Sequence, residues 1–165
     1  MNPHPAELII AIQLVQSLIA LVLAALLGYF HHGFRHSFLR LWALSAVALA
    51  IYLITSAISL GLYWAGPQFG YLRLGFTVVS MAAAYAHIVW LMLGTREAAG
   101  YRKLRLGLET IMVSGAALFG IASALIFPFA AESSELRILF RVDLRYLLTG
   151  LAFIVAGSLL WRLQR

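Results

Sequence analysis

The chain has 165 residues, 63% hydrophobic and 11% charged, with a mean hydropathy of +0.93; this is far more apolar than a soluble domain and marks an integral membrane protein. Cysteine is absent, which excludes disulfides, thiolate metal sites, iron–sulfur clusters and thioether-linked c-type haem. The formal charge of +6 does not point to nucleic acid, because the basic residues are scattered in short loops instead of gathered on one face.

Five apolar runs are long enough to cross a hydrocarbon core of about 30 Å, which takes roughly 20 helical residues. They are Ala6–Phe30, Leu39–Trp64, Leu72–Gly94, Leu106–Ala130 and Ile138–Trp161, and their connections are too short to be domains. The expected fold is therefore all-α, a single transmembrane domain over 1–165 built as a bundle of five membrane helices. The leader MNPHPAE holds neither Lys nor Arg, and the run behind it exceeds a cleavable signal, so the first helix is expected to be retained. His4, between Pro3 and Pro5, reads as a flexible residue.

Along the first helix, Gln13, Ser17, Ala20, Ala24 and Gly28 follow one another at spacings of three or four and lead to His31 or His32. That polar and small stripe should face the bundle interior. The stretch GYFHHGFRHSFLRLW, residues 28–42, then forms a short basic turn. Gly33 is expected to stop the first helix as its C′ residue and Ser37 to cap the second. Gly66 and Pro67 break the chain after the second helix, and Pro128 falls near the end of the fourth.

The third helix carries the clearest residue in need of explanation. His87 lies seven residues before Gly94, roughly 10 Å inside the membrane boundary at 1.5 Å per residue. In SMAAAYAHIVW (residues 80–90), Ser80, Ala83, Ala84 and His87 share one face, where small side chains leave room for a close neighbour or a flat ligand. Intramembrane ionisable groups usually face a bundle interior or water, so His87 reads as an interhelical hydrogen-bonding residue, a cofactor ligand or a proton- or ligand-binding group. Glu109 enters the fourth helix about a turn from its start; it suits the helix dipole, or pairs with His87. At the start of the fifth helix Arg141, Asp143 and Arg145 alternate and cannot share a face; they snorkel to headgroups or line an outward pocket for a small ligand.

Eight basic residues, Arg35, Arg40, Arg96, Arg102, Lys103, Arg105, Arg162 and Arg165, fall on one side of such a bundle. The other side has four, Arg73, Arg137, Arg141 and Arg145, with Glu7, Glu132, Glu135 and Asp143 beside them. The richer side should be cytoplasmic, leaving the N-terminus outside and the C-terminus inside. Trp42, Trp90 and Trp161 then lie towards the inner boundary and Tyr63, Trp64 and Tyr71 towards the outer, as two aromatic belts.

The last run, GSLLWRLQR, has no helix stop after Ser158, so the helix could leave the membrane and couple to a cytoplasmic partner. In this layout, in the basic turn followed by FLRLWALSAVALAIYL (Phe38 to Leu53), and in the exiting helix, the chain resembles the five-helix N-terminal membrane sensor modules of bacterial diguanylate cyclases (GGDEF) or histidine kinases. The resemblance spans the whole chain and implies a bacterial inner-membrane input module, a homodimer, and a cytoplasmic effector absent from these residues. Gly150 and Gly157 would supply a small-residue stripe for the dimer.

Neutral imidazoles from two helices can clamp a haem b without cysteine. His87 and the group His31, His32 and His36 fall in the same leaflet, so His87 with His31 or His32 is the expected ligand pair. Arg35 or Arg102 would then lie near the propionates and His36 outside the coordination sphere. Each loop histidine also has a plainer reading: His31 and His32 suit the C-terminal helix dipole, and His36 a solvated turn. The only lysine, Lys103, is in a loop, which excludes a retinal Schiff base on a membrane helix. No phosphate-cradling glycine motif, HExxH or GxSxG occurs, and nothing suggests an enzyme in its own right. Three classes remain: a signalling input module with or without haem, a small b-type cytochrome, and a cofactor-free sensor of a small ligand. The outer side offers only His4, which weighs against an electron carrier spanning both leaflets.

Overall fold

The computed structural model describes residues 5–126 and 143–163. Those residues are helical throughout apart from short turns: α1 Pro5–Phe34, α2 Ser37–Ala65, a 3₁₀ turn Pro67–Phe69, α3 Gly70–Ala98, α4 Leu106–Ile126 and α5 Leu144–Leu163. Four helices are long and apolar enough to cross a membrane, and Leu144–Leu159 adds a shorter apolar one. Large apolar side chains cover the outside; Leu18 and Ile19 on α1 are 62% and 63% exposed, as lipid-facing residues are. The all-α expectation for a membrane-spanning protein holds. The proposed end of the fourth run at Ala130 and start of the fifth at Ile138 lie outside the described residues, as do His4, Pro128, Glu132, Glu135, Arg137, Arg141 and Arg165.

The turns explain two corrections. Gly33 does not end α1: the helix runs through Phe34, and Arg35 takes the left-handed conformation instead (φ 59). Arg35 N–H still bonds His31 O at 2.8 Å, and His31 Nδ1–H donates to His36 O at 2.8 Å. These two bonds satisfy carbonyls that would otherwise be orphaned at the turn, so a glycine is not required. Ser37 does not cap α2. His36 precedes the helix in extended conformation, and Ser37 Oγ donates to Glu97 Oε2 at 2.5 Å, tying the start of α2 to the end of α3. Gly66, by contrast, breaks the chain as expected: its φ of 128 suits glycine, and a Cβ there would strike the Gln68 side chain.

Helix α3 is central. It packs against α2, α4 and α5, while α1 packs on α2. Gln13 Nε2 donates to Ser56 Oγ at 3.2 Å, and Ile10 lies against Gly61, so α1 and α2 are antiparallel. The α2–α3 pair is antiparallel too, from Leu41 and Trp42 beside Gly94 to Ser59 beside Thr77. Gly120 of α4 lies against the Met81 backbone, and Phe119 meets Tyr85 edge-on at 5.0 Å between centroids. Leu148 of α5 packs on the Met81, Tyr85 and Ala124 cluster. The basic α1–α2 and α3–α4 turns therefore lie at one end of the bundle. The stripe on α1 faces inward through Ser17, Ala20 and Ala24, all buried, but Gly28 and His32 are exposed.

Candidate functional site

Polar residues on α2 recur at intervals of seven, Ser45, Tyr52 and Ser59, and so occupy one helical face. Antiparallel packing sets that face against His87, Ser80 and Thr77 of α3. Ser59 Oγ and Thr77 Oγ1 are 3.0 Å apart, Ser80 Oγ donates to Tyr52 O at 3.4 Å, and Ser45 meets His87. In hydrocarbon such groups need partners within the protein, so the seam also fixes the α2–α3 register.

His87 is buried, at 8% exposure, as is Ser45 at 2%. Its Nδ1 lies 3.0 Å from Ser45 O and 2.8 Å from Ser45 Oγ, and Ser45 Oγ lies 3.1 Å from His87 O. Carbonyls only accept. Nδ1–H therefore donates to Ser45 O, and Ser45 Oγ–H donates to His87 O. In the neutral imidazole this arrangement puts the proton on Nδ1 and leaves a lone pair on Nε2, which has no hydrogen-bond partner among the described residues. A ring held through one nitrogen with the other left as acceptor is the arrangement that presents histidine to a metal or to a ligand N–H or O–H.

His87 lines a cavity of about 310 Å³ between α1, α2, α3 and α5, together with Gln13, Tyr52, Arg145, Tyr146 and Phe153. That volume is at the small end of ligand sites. Gln13 gives its Nε2 to Ser56, while its buried Oε1 has no partner. The walls thus hold one open acceptor, His87 Nε2, beside the Arg145 cation. Arg145 Nη1 donates to Tyr52 Oη, and its guanidinium lies 4.6 Å from the centres of both the Tyr52 and Tyr146 rings.

The other expected site residues lie elsewhere. Ser45 is eight residues into α2 from Ser37, so His87 sits about 12 Å along the axis from the turn. None of His31, His32 and His36 lines its cavity. His31 braces the turn, His32, Arg35 and His36 are exposed, and His36 stacks on Phe38 at 5.4 Å. Arg102 is exposed, and its carbonyl accepts from Arg96 Nη1 at 2.9 Å. Glu109 is buried against Arg40 at 3.4 Å, so its partner is that cation and not His87. Asp143 is exposed just before α5. Ser45 and Tyr52 escaped sequence reasoning; the interval of seven among polar residues in FLRLWALSAVALAIYL and beyond was the available signal. Among the described residues no group of three or more His, Asp or Glu is gathered to hold a metal.

Comparison of the chain with protein-family models, with curated proteins and with solved structures gives no match.

Proposed function

We propose that this chain is the membrane-embedded input module of a bacterial signalling protein. It senses a small ligand in the His87 cavity and passes the response along α5 to a cytoplasmic effector such as a diguanylate cyclase or histidine kinase domain. The N-terminus lies outside the inner membrane and the C-terminus in the cytoplasm, as the distribution of Lys and Arg favours. Two copies pair through α5, whose Gly150 and Gly157 are exposed with open space around them.

The observation that carries this reading is the Ser45-held imidazole, with its Nε2 lone pair on a cavity that α5 helps to wall. A ligand donating to His87 Nε2 would touch Thr149 and Phe153 of α5 as well. Its differential contact with two arrangements of α3 and α5 would shift their populations, which is what an input module requires.

A diguanylate cyclase catalytic domain fused after Arg165 tests the proposal. Output that changes several-fold on His87→Ala, at equal membrane abundance, supports it. Output insensitive to both His87→Ala and Phe153→Ala overturns it. Haem b bound through the same Nε2 is a second reading, favoured by the hydrogen-bonded Nδ1 that orients an axial imidazole. A Soret band altered by His87→Ala and not by His31→Ala or His32→Ala would establish it, and a colourless protein that takes up no added haem would remove it.

A further inference from the structure

A second cavity, of about 500 Å³, lies between α2, α3 and α5 on the side of the α2–α3 turn. Its walls include Arg73, Arg145, Tyr52, Ser59, Thr77 and Ser80, and no acidic side chain among the described residues. Arg145 is held against the Tyr52 hydroxyl and ring, level with Ser80, which is ten residues into α3. At 1.5 Å per residue that is about 15 Å from the start of the helix. A guanidinium this deep in a membrane bundle requires compensation.

Aromatic rings supply part of it. Arg73 lies 4.7 Å from the centre of the Tyr63 ring, and Arg145 lies 4.6 Å from two tyrosine rings. These contacts cover guanidinium faces and leave the in-plane N–H edges for other partners. Among the described residues Arg145 uses one of its five donors, on Tyr52 Oη. Among the described residues neither arginine has a carboxylate partner, and the one ion pair is Arg40 with Glu109, at the opposite end. Two cations whose donor edges meet no carboxylate among the described residues, set around a polar cavity large enough for a small molecule, suit paired anionic oxygens.

We infer that this cavity binds an oxyanion, a carboxylate or phosphate group, held by Arg73 and Arg145 with the Ser and Thr hydroxyls around it. The site stands independently of the His87 cavity, although Tyr52 and Arg145 wall both. Arg145 thereby becomes the element through which an anion on one side would be felt on the other.

The test uses the full chain in phosphatidylcholine nanodiscs, titrated calorimetrically with inorganic phosphate and with succinate. A parallel sample in phosphatidylglycerol nanodiscs is read for retained lipid by native mass spectrometry. Arg73→Gln and Arg145→Gln should each weaken binding by roughly tenfold or more, as loss of a charged hydrogen bond does. Arg145→Lys, which keeps the charge but not the fork, should recover part of it. Arg105→Gln, exposed at the other end, should leave affinity unchanged. Where Arg145→Gln fails to fold, Arg73→Gln and Arg145→Lys carry the comparison. Saturable phosphate or succinate binding that depends on both arginines supports a free anion as ligand. Retention of phosphatidylglycerol with the same dependence supports a lipid headgroup as the source of the same oxyanion. Failure of all three probes to bind, or binding that survives the double variant, overturns the inference.

Discussion

Gly120→Ala should separate α3 from α4. A Cβ at Gly120 would lie 2.5 Å from Met81 O, 2.7 Å from Met81 C and 2.9 Å from Ala82 N, all backbone atoms that cannot rotate away. Ordinary contact begins near 3.4 Å, so α4 must retreat by about 0.9 Å, a gap that forfeits a quarter to a half of each dispersion well it opens. The Tyr85–Phe119 contact and the fully buried Ala124 lie on that interface and would loosen with it. The expected cost is about 1–3 kcal/mol, the range for overpacking a well-filled core. Gly115→Ala on the same helix is the control, because nothing lies within 4 Å of its Cβ. It should be neutral or stabilising by up to about 1 kcal/mol through helix propensity. Unfolding in mixed micelles with increasing dodecyl sulfate, followed by circular dichroism and tryptophan fluorescence, measures both. Equal stability of the two variants would refute the close α3–α4 approach.

His31→Ala should remove the exposed His31–His36 brace at a cost of at most about 1 kcal/mol and leave the His87 ring signals unmoved in NMR spectra. Glu109→Gln should cost less than about 1 kcal/mol, because the pair is long and its Arg40 partner 40% exposed; the His87 ring signals should again stay in place, and a shift would make Glu109 a partner of His87. Single cysteines from Gly157 to Leu163 should cross-link with helical periodicity in native membranes, and their uniform failure would count against pairing through α5.

The helices were legible because lipid leaves the backbone no other solution: every apolar run long enough to span had to be helical. Their ends were less so. The α1–α2 turn is closed by the His31 side chain and the Arg35 backbone, and neither choice follows from residue type when a glycine stands two positions earlier. Depth and a small-residue face singled out His87, since a histidine among Ala and Ser has few ordinary reasons to be there. Its partner depends on the α2–α3 register, which rests on contacts remote in sequence such as Ser37–Glu97 and Trp42–Gly94. From residue type Arg145 fits either headgroups or a pocket; its contacts with two tyrosine rings and a hydroxyl at a cavity wall depend on the packing of α5. Gln13 falls on the inward stripe of α1, but that its Nε2 is spent on Ser56 while its Oε1 is buried without a partner follows only from the packing of α1 on α2.

The central claim is that Ser45 holds the His87 proton on Nδ1 and offers Nε2 to the cavity. Nitrogen NMR on histidine-labelled protein in bilayers reads this directly, with His87→Gln assigning the ring signals. A neutral His87 should show a protonated, pyrrole-type Nδ1 and an unprotonated, pyridine-type Nε2, and Ser45→Ala should preserve that tautomer, because the Ser45 carbonyl remains to accept from Nδ1–H. A pyrrole-type Nε2 with an unprotonated Nδ1 in the unmodified protein would contradict the account, since no lone pair would then face the cavity.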